Sequence, residues 1–170
     1  TSSPSRPEQV LGLGASLSWK GFDFSFLMQG AFGATTYLTS GWYFQPFQAE
    51  RDPKLMGNLI TKFRDRWTEE NPDPYAFSPR LYMGQNVNNY KSSTWWVRNS
   101  DYMRLKNLEF GYTLPRKALD RMRLDNLRFY VSAQNLMTFS KFKKEFWDPE
   151  VGADAYPIQA TVFLGVNLTF

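Results

Sequence analysis

The sequence predicts an all-β fold: about five antiparallel strands forming the C-terminal segment of a large transmembrane β-barrel, with a long extracellular loop containing a short helix. Three observations lead there. Apolar and polar residues alternate with period two in five places, and the connections between those places alternate between long and short. Aromatic residues make up 18 % of the 170 residues, with 15 Phe, 9 Tyr and 6 Trp. No run approaches the roughly 18 consecutive apolar residues of a spanning helix.

Each strand can be read from its two faces. Over 10–20, Leu11, Leu13, Ala15, Leu17 and Trp19 oppose Gly12, Gly14, Ser16, Ser18 and Lys20. After a tight connection at Gly21, the strand 22–33 sets Phe22, Phe24, Phe26, Met28 and Phe32 against Asp23, Ser25, Gln29 and Ala31, so the two form a hairpin. The strand 101–114 starts with Met103 and Leu105 in phase and continues with Leu108, Phe110, Tyr112 and Leu114 in the opposite phase. One extra residue shifts an alternation in this way, so a bulge is expected near Lys106 and Asn107. The strand 126–139 opposes Leu127, Phe129, Val131 and Ala133 to Arg128, Tyr130, Ser132 and Gln134. The strand 159–170 carries Ala160, Val162, Leu164, Val166, Leu168 and Phe170 on a single face.

Long connections at 34–100 and 140–158 alternate with short ones at Gly21 and 115–125. Transmembrane barrels show this asymmetry, with short periplasmic turns and longer extracellular loops. A periplasmic C-terminus then puts 34–100 and 140–158 outside. Bacterial single-chain barrels have an even number of strands, so five imply that other strands complete the cylinder and pair with both sheet edges. The start at Thr1, without an initiator Met or a signal-peptide pattern, predicts a mature or truncated piece. Within 34–100, Asp52 can cap and Pro53 can open a helix whose apolar stripe is Leu55, Met56, Leu59, Ile60, Phe63 and Trp67.

Several functions lose their chemistry. The chain has no Cys and no His, which removes disulfides, thiol nucleophiles and imidazole catalysis. Glu69 and Glu70 lack a second group placed to shift their pKa, and no Ser sits in a nucleophile elbow, so no catalytic residue and no cofactor are expected. Asp148, Glu150 and Asp154 lack the Gly and terminal Glu of an EF-hand loop and read as loop caps, so no metal is expected either. The net charge of +4 comes from 20 basic and 16 acidic residues scattered together. The basic clusters Arg116, Lys117, Arg121 and Arg123, and Lys141, Lys143 and Lys144, fall in connections, so no nucleic-acid partner is expected.

A soluble, aromatic-rich, carbohydrate-binding β-sandwich is the alternative, because sandwiches alternate in the same way. Three details favour the barrel. The apolar faces end in Trp19, Tyr112 and Phe170, as membrane-edge girdles do. Opposite them, Lys20, Asp23, Gln29, Arg128 and Gln134 suit a wet lumen, and the last amphipathic strand stops on an aromatic residue.

Asp101-Tyr102-Met103-Arg104-Leu105-Lys106-Asn107-Leu108, continuing through Glu109-Phe110-Gly111-Tyr112-Thr113-Leu114-Pro115, resembles a signature strand near the C-terminus of SusC/RagA-type TonB-dependent outer-membrane transporters of Bacteroidota. Leu127-Arg128-Phe129-Tyr130-Val131-Ser132-Ala133-Gln134-Asn135-Leu136 resembles the next signature strand. Asp148-Pro149-Glu150 with Tyr156-Pro157 is similar to the outer loop that follows it, and Arg66-Trp67-Thr68, Glu70-Asn71-Pro72 and Pro79-Arg80-Leu81 to the loop before. The resemblance covers about 22–170 and implies that 1–170 is the C-terminal portion of a 22-stranded barrel domain. A plug domain and a TonB box are not present in this chain.

It further implies an outer-membrane importer of oligosaccharide or peptide. The implied partners are the remainder of the barrel and its plug, a SusD-like surface lipoprotein as lid, the TonB complex and the lipid bilayer. Leu164, Val166, Leu168 and Phe170 resemble the C-terminal signal read by the barrel-assembly machinery, although a lipid-facing strand needs the same stripe. Trp42, Tyr43, Tyr90, Trp95 and Trp96 in the long outer segment are candidates for ligand or lid contact, with loop packing as the plainer role.

Overall fold

The computed structural model describes residues 4–38, 61–81, 88, 91–145, 147–151 and 155–170. The chain divides into two compact units, one built from 1–35 and 99–170 and the other from 36–98.

The larger unit is a five-stranded antiparallel sheet. Its strands are β1 (Gln9–Trp19), β2 (Phe22–Phe32), β5 (Tyr102–Thr113), β6 (Asn126–Phe139) and β7 (Thr161–Thr169), in that spatial order. Two short strands that the sequence pattern does not reveal, β3 (Thr35–Tyr37) and β4 (Val97–Asn99), make a separate two-stranded ladder. Three residues are too few for a period to show.

Register follows from the alternation, because a slip by one residue would turn every apolar side chain to the wrong face. Trp19, Phe22, Tyr112, Phe129 and Val166 lie in one row across the sheet, and Leu17, Phe24, Phe110, Val131 and Leu164 in the next. A third row holds Ala15, Phe26, Leu108, Ala133 and Val162. The first row is an aromatic band, with Phe22 against Tyr112 at 4.5 Å between ring centroids.

The phase change in β5 is a bulge. Asn107 opposes Leu27 and Gln134, whereas Leu105 opposes Met28 and Met137, so the pairing steps over Lys106. On β6 the matching irregularity falls at Asn135, which takes a left-handed φ of 52°. Leu105 thereby stays on the apolar face after the shift.

The hairpin between β1 and β2 turns through Lys20 and Gly21, both with positive φ, as a right-twisted hairpin prefers. A Cβ on Gly21 would stand 2.6 Å from the Thr113 carbonyl oxygen, so the close approach of β5 requires glycine as much as the turn does. The connection 115–125, read from sequence as a turn, contains the helix α1 (Arg116–Met122) with Leu119 buried beneath it. It ends on Arg123 in the left-handed region, whose N–H reaches the Asp120 and Leu119 carbonyls. Between β6 and β7 lies α2 (Lys141–Glu145), with Phe142 buried.

Most of the helix expected from Asp52 onward lies outside the described residues. Its described end is a single 3-10 turn, Thr61–Arg64, with Phe63 buried. The stripe does not continue to Trp67 as a helix. Arg66 bridges to Ser78, and the Trp67 N–H donates to the Ser78 carbonyl at 2.9 Å, because a neighbouring extended segment satisfies that backbone instead.

Candidate functional site

One face of the five-stranded sheet is apolar and open. Trp19 is 68 % exposed and Leu164 82 %, and Leu11, Leu13, Leu17, Val162, Val166 and Leu168 on the same face are exposed as well. Strands of 11 residues, such as Gln9–Trp19, are about 36 Å long at about 3.3 Å per residue and about 26 Å tall at a tilt of about 45°. That height matches the apolar band of an outer-membrane barrel, about 25 Å.

The opposite face carries two charge networks. In the first, Arg128 of β6 reaches across β5 to Asp23 of β2, with Nε to Oδ1 at 3.0 Å and a second contact from Nη2 to Oδ2. The same Nη2 donates to Glu109 Oε1 at 2.6 Å. One guanidinium thus ties three adjacent strands, and the path is clear because Gly111 lies beneath it. A Cβ on Gly111 would fall 2.5 Å from Arg128 Nη2 and 2.6 Å from both Asp23 carboxylate oxygens. Tyr130 lies over Gly165 on the neighbouring strand in a similar way.

The second network fastens the β6–β7 connection to the sheet. Arg104 of β5 is 0 % exposed and gives Nη2 to both oxygens of Asp148, at 2.7 and 2.8 Å, while Asp148 is 3 % exposed. Its Nη1 stands 3.4 Å from Glu150 Oε2, and the guanidinium lies over the Tyr102 ring at 5.6 Å. Lys106, the residue stepped over at the bulge, donates to both Glu150 oxygens at 3.0 and 3.1 Å. Asp148 also caps the Glu150 N–H at 3.0 Å, which is the loop-cap role read from sequence. Its partner Arg104 is what the sequence did not disclose. With both carboxylates neutralised by cations, this cluster is built to hold a loop; Asp154 lies outside the described residues.

The smaller unit, 36–98, has an aromatic core of its own. Phe77 packs against Phe63 at 5.9 Å and edge-on to Trp96 at 6.5 Å. Trp96, 3 % exposed, is therefore part of that core. Trp95 is 41 % exposed, and its Nε1 donates to the Phe77 carbonyl at 3.2 Å, which fixes the indole while leaving ring surface open. Trp42, Tyr43 and Tyr90 lie outside the described residues. A cavity of about 380 Å³ opens beside Trp67, Trp95 and Trp96. Leu164, Val166 and Leu168 share one face of β7, and Phe170 beyond it is fully on the surface.

An antiparallel sheet with one lipid-height apolar face, one charged face and two long outer edges defines the protein's class: a segment of a transmembrane β-barrel. No family model matches the chain. It is similar to the TonB-dependent receptor P26 of Formosa agariphila, 30 % identical over 185 residues, which span 96 % of this chain and 17 % of that protein. TonB-dependent receptor P3 of the same organism is 27 % identical over 96 % of the chain and 16 % of its own length.

Among solved structures, the RagAB peptide importer in its closed-closed state matches 98 % of this chain and 18 % of the compared chain, with a TM-score of 0.72 and 26 % identity. Its open-open state matches with a TM-score of 0.70 at 24 % identity, which bears on fold alone. Over nearly its whole length this chain is similar to TonB-dependent receptors and to a RagA-type transporter, and its fold is that of a partial segment of such an outer-membrane β-barrel. It spans less than a fifth of the length of these curated relatives.

Proposed function

We propose that residues 1–170 are the C-terminal portion of the barrel domain of a nutrient importer. The whole receptor takes up oligosaccharide or peptide together with a SusD-like surface lipoprotein, and the TonB complex supplies energy through the plug. One observation carries this reading: the sheet turns a lipid-height apolar face one way and a charged, strand-bridging network the other. Similarity to a peptide importer and to TonB-dependent receptors supports it. In this reading Gly21 and 115–125 are periplasmic, and 34–100 and 140–158 are extracellular loops in which Trp42, Tyr43, Tyr90 and Trp95 meet ligand or lid. A soluble sandwich would bury Leu164 and Trp19 against a second sheet, whereas both are exposed.

Uptake is the test. Cells carrying the intact receptor should take up a labelled oligosaccharide or peptide pool, and deletion of the receptor or of TonB should abolish that uptake. Uptake unaffected by either deletion rejects the proposal.

Leu164, Val166, Leu168 and Phe170 act in this reading as the signal for barrel assembly. Deleting Phe170 from the full-length receptor is expected to reduce its folded amount in the outer membrane several-fold, measured by heat-modifiable migration of membrane fractions. Equal amounts of folded receptor with and without Phe170 would leave the stripe with its lipid-facing role only.

A further inference from the structure

The apolar face of the sheet is not flat. Towards its short-turn end it has a groove of about 440 Å³, walled by Phe110 and Tyr112 of β5, Phe129 and Val131 of β6, and Leu164 and Val166 of β7. These six residues form two successive rows across the three strands. Val131 and Val166 are shorter than the Phe110, Phe129 and Leu164 around them, which hollows the surface between β5 and β7. The volume is within the range of ligand clefts, about 300–1,000 Å³, and on a barrel the groove opens onto acyl chains.

The connection at the end of this groove is basic. Residues 115–125 join β5 to β6 just beyond those rows, with the Leu114 N–H donating to the Leu127 carbonyl at 3.0 Å where the connection starts. They carry Arg116, Lys117, Arg121 and Arg123, all exposed, against Asp120 and Asp125. Arg116 pairs with Asp120 at 3.4 Å, whereas Lys117, Arg121 and Arg123 have no carboxylate partner among the described residues. Buried Leu119 anchors α1, so these charges are held at the end of the sheet. Lys20 adds a cation on the neighbouring turn. That turn is tied to β5 by the Thr113 N–H, which donates to the Gly21 carbonyl at 2.7 Å, and the Lys20 Nζ lies 4.8 Å over the Trp19 ring.

An acyl chain fits an apolar groove whatever its headgroup, but cations at a membrane surface select an anionic one. Guanidinium groups in particular give phosphate two parallel N–H donors. We propose that groove and connection form one site for an anionic phospholipid of the periplasmic leaflet, its chain along β5–β7 and its phosphate among Lys117, Arg121 and Arg123. The choice of leaflet rests on the periplasmic placement of 115–125 proposed above.

Native mass spectrometry of the intact receptor in a neutral detergent, titrated with dioleoyl-phosphatidylglycerol or dioleoyl-phosphatidylcholine, tests it. Phosphatidylglycerol should bind about tenfold more tightly or better. The variant Arg121→Gln, Arg123→Gln should lose about fivefold in phosphatidylglycerol affinity for each arginine removed and leave phosphatidylcholine as it was. Val131→Trp, which fills the groove from a lipid-facing position, should weaken both lipids. Equal binding of the two lipids overturns the site, as does phosphatidylglycerol binding that the arginine changes leave untouched, its displacement by an equal concentration of inorganic phosphate, or tighter binding of lipid A. Labelling of Asp120→Cys with a membrane-impermeant maleimide separates the two readings. Label taken up by intact cells refutes the periplasmic placement, and the leaflet with it, while the selectivity for an anionic lipid stands. Lost selectivity with a cysteine protected until the outer membrane is permeabilised removes the lipid site and leaves the placement.

Discussion

Replacing Asp148 by Ala is expected to detach the β6–β7 connection from the sheet and to destabilise the receptor by about 3–5 kcal/mol, the usual cost of leaving a buried charge without its partner. Arg104 is fully buried, its Nη2 donates to both oxygens of Asp148, and its Nε and Nη1 have no hydrogen-bond partner among the described residues. Among the described residues, the carboxylate left near it would be that of Glu150, 3.4 Å from Nη1. Urea unfolding of the intact receptor in detergent should show a lower midpoint, and limited proteolysis should cut within 140–158 at protease concentrations that spare the parent. The double variant Arg104→Met, Asp148→Leu should recover much of the loss, since an apolar pair of similar volume carries no uncompensated charge. A double variant as unstable as Asp148→Ala would show that the ion pair itself, rather than the orphaned charge, sets the stability.

Substituting Gly111 with Ala is the second change with a large expected effect. The new Cβ would fall 2.5–2.6 Å from Arg128 Nη2 and the Asp23 carboxylate, so the ion pair must move or the strands must part. Overpacking of this kind costs about 1–3 kcal/mol. Because the obstacle is a side-chain pair rather than backbone, the cost should fall sharply in an Arg128→Ala background, and a double-mutant cycle on unfolding free energies would read the coupling. Additive costs in that cycle would mean that Gly111 matters for its backbone and not for the space above it. The partly exposed Asp23–Arg128–Glu109 network is itself worth less than its geometry suggests, because water screens it.

The two networks divide the inner face between them. Arg128 links β2, β5 and β6 near the short-turn end, and Arg104 with Lys106 anchors a long connection near the other. The bulge matters to the second, since stepping over Lys106 lets its ammonium join Arg104 against Glu150 while Leu105 keeps the apolar face continuous.

Much of the sheet was legible in the residues. Period-two alternation dictates which face Leu17, Phe24, Phe110, Val131 and Leu164 share, and Lys20–Gly21 dictates a hairpin, because both depend on interactions between near neighbours in the chain. Even the bulge was readable, as a phase change between Leu105 and Leu108. The signature around Asp101–Pro115 pointed to the receptor class on the same local basis.

What the residues left open depends on contacts between distant parts of the chain. Arg104 and Asp148 are 44 positions apart, and Asp23 and Arg128 are 105 apart. Nothing local marks Asp148 as the partner of a buried arginine as well as a loop cap, or Gly111 as the floor beneath an ion pair. Only strand order and register bring those atoms together. Trp95 and Trp96 differ for the same reason: adjacent and identical in type, they part company because Phe77 buries one ring and holds the other by its N–H. Alternation is set by how each residue meets solvent or lipid, and pairing across the sheet by where the chain returns, so the first is written in sequence spacing and the second exists only in the fold.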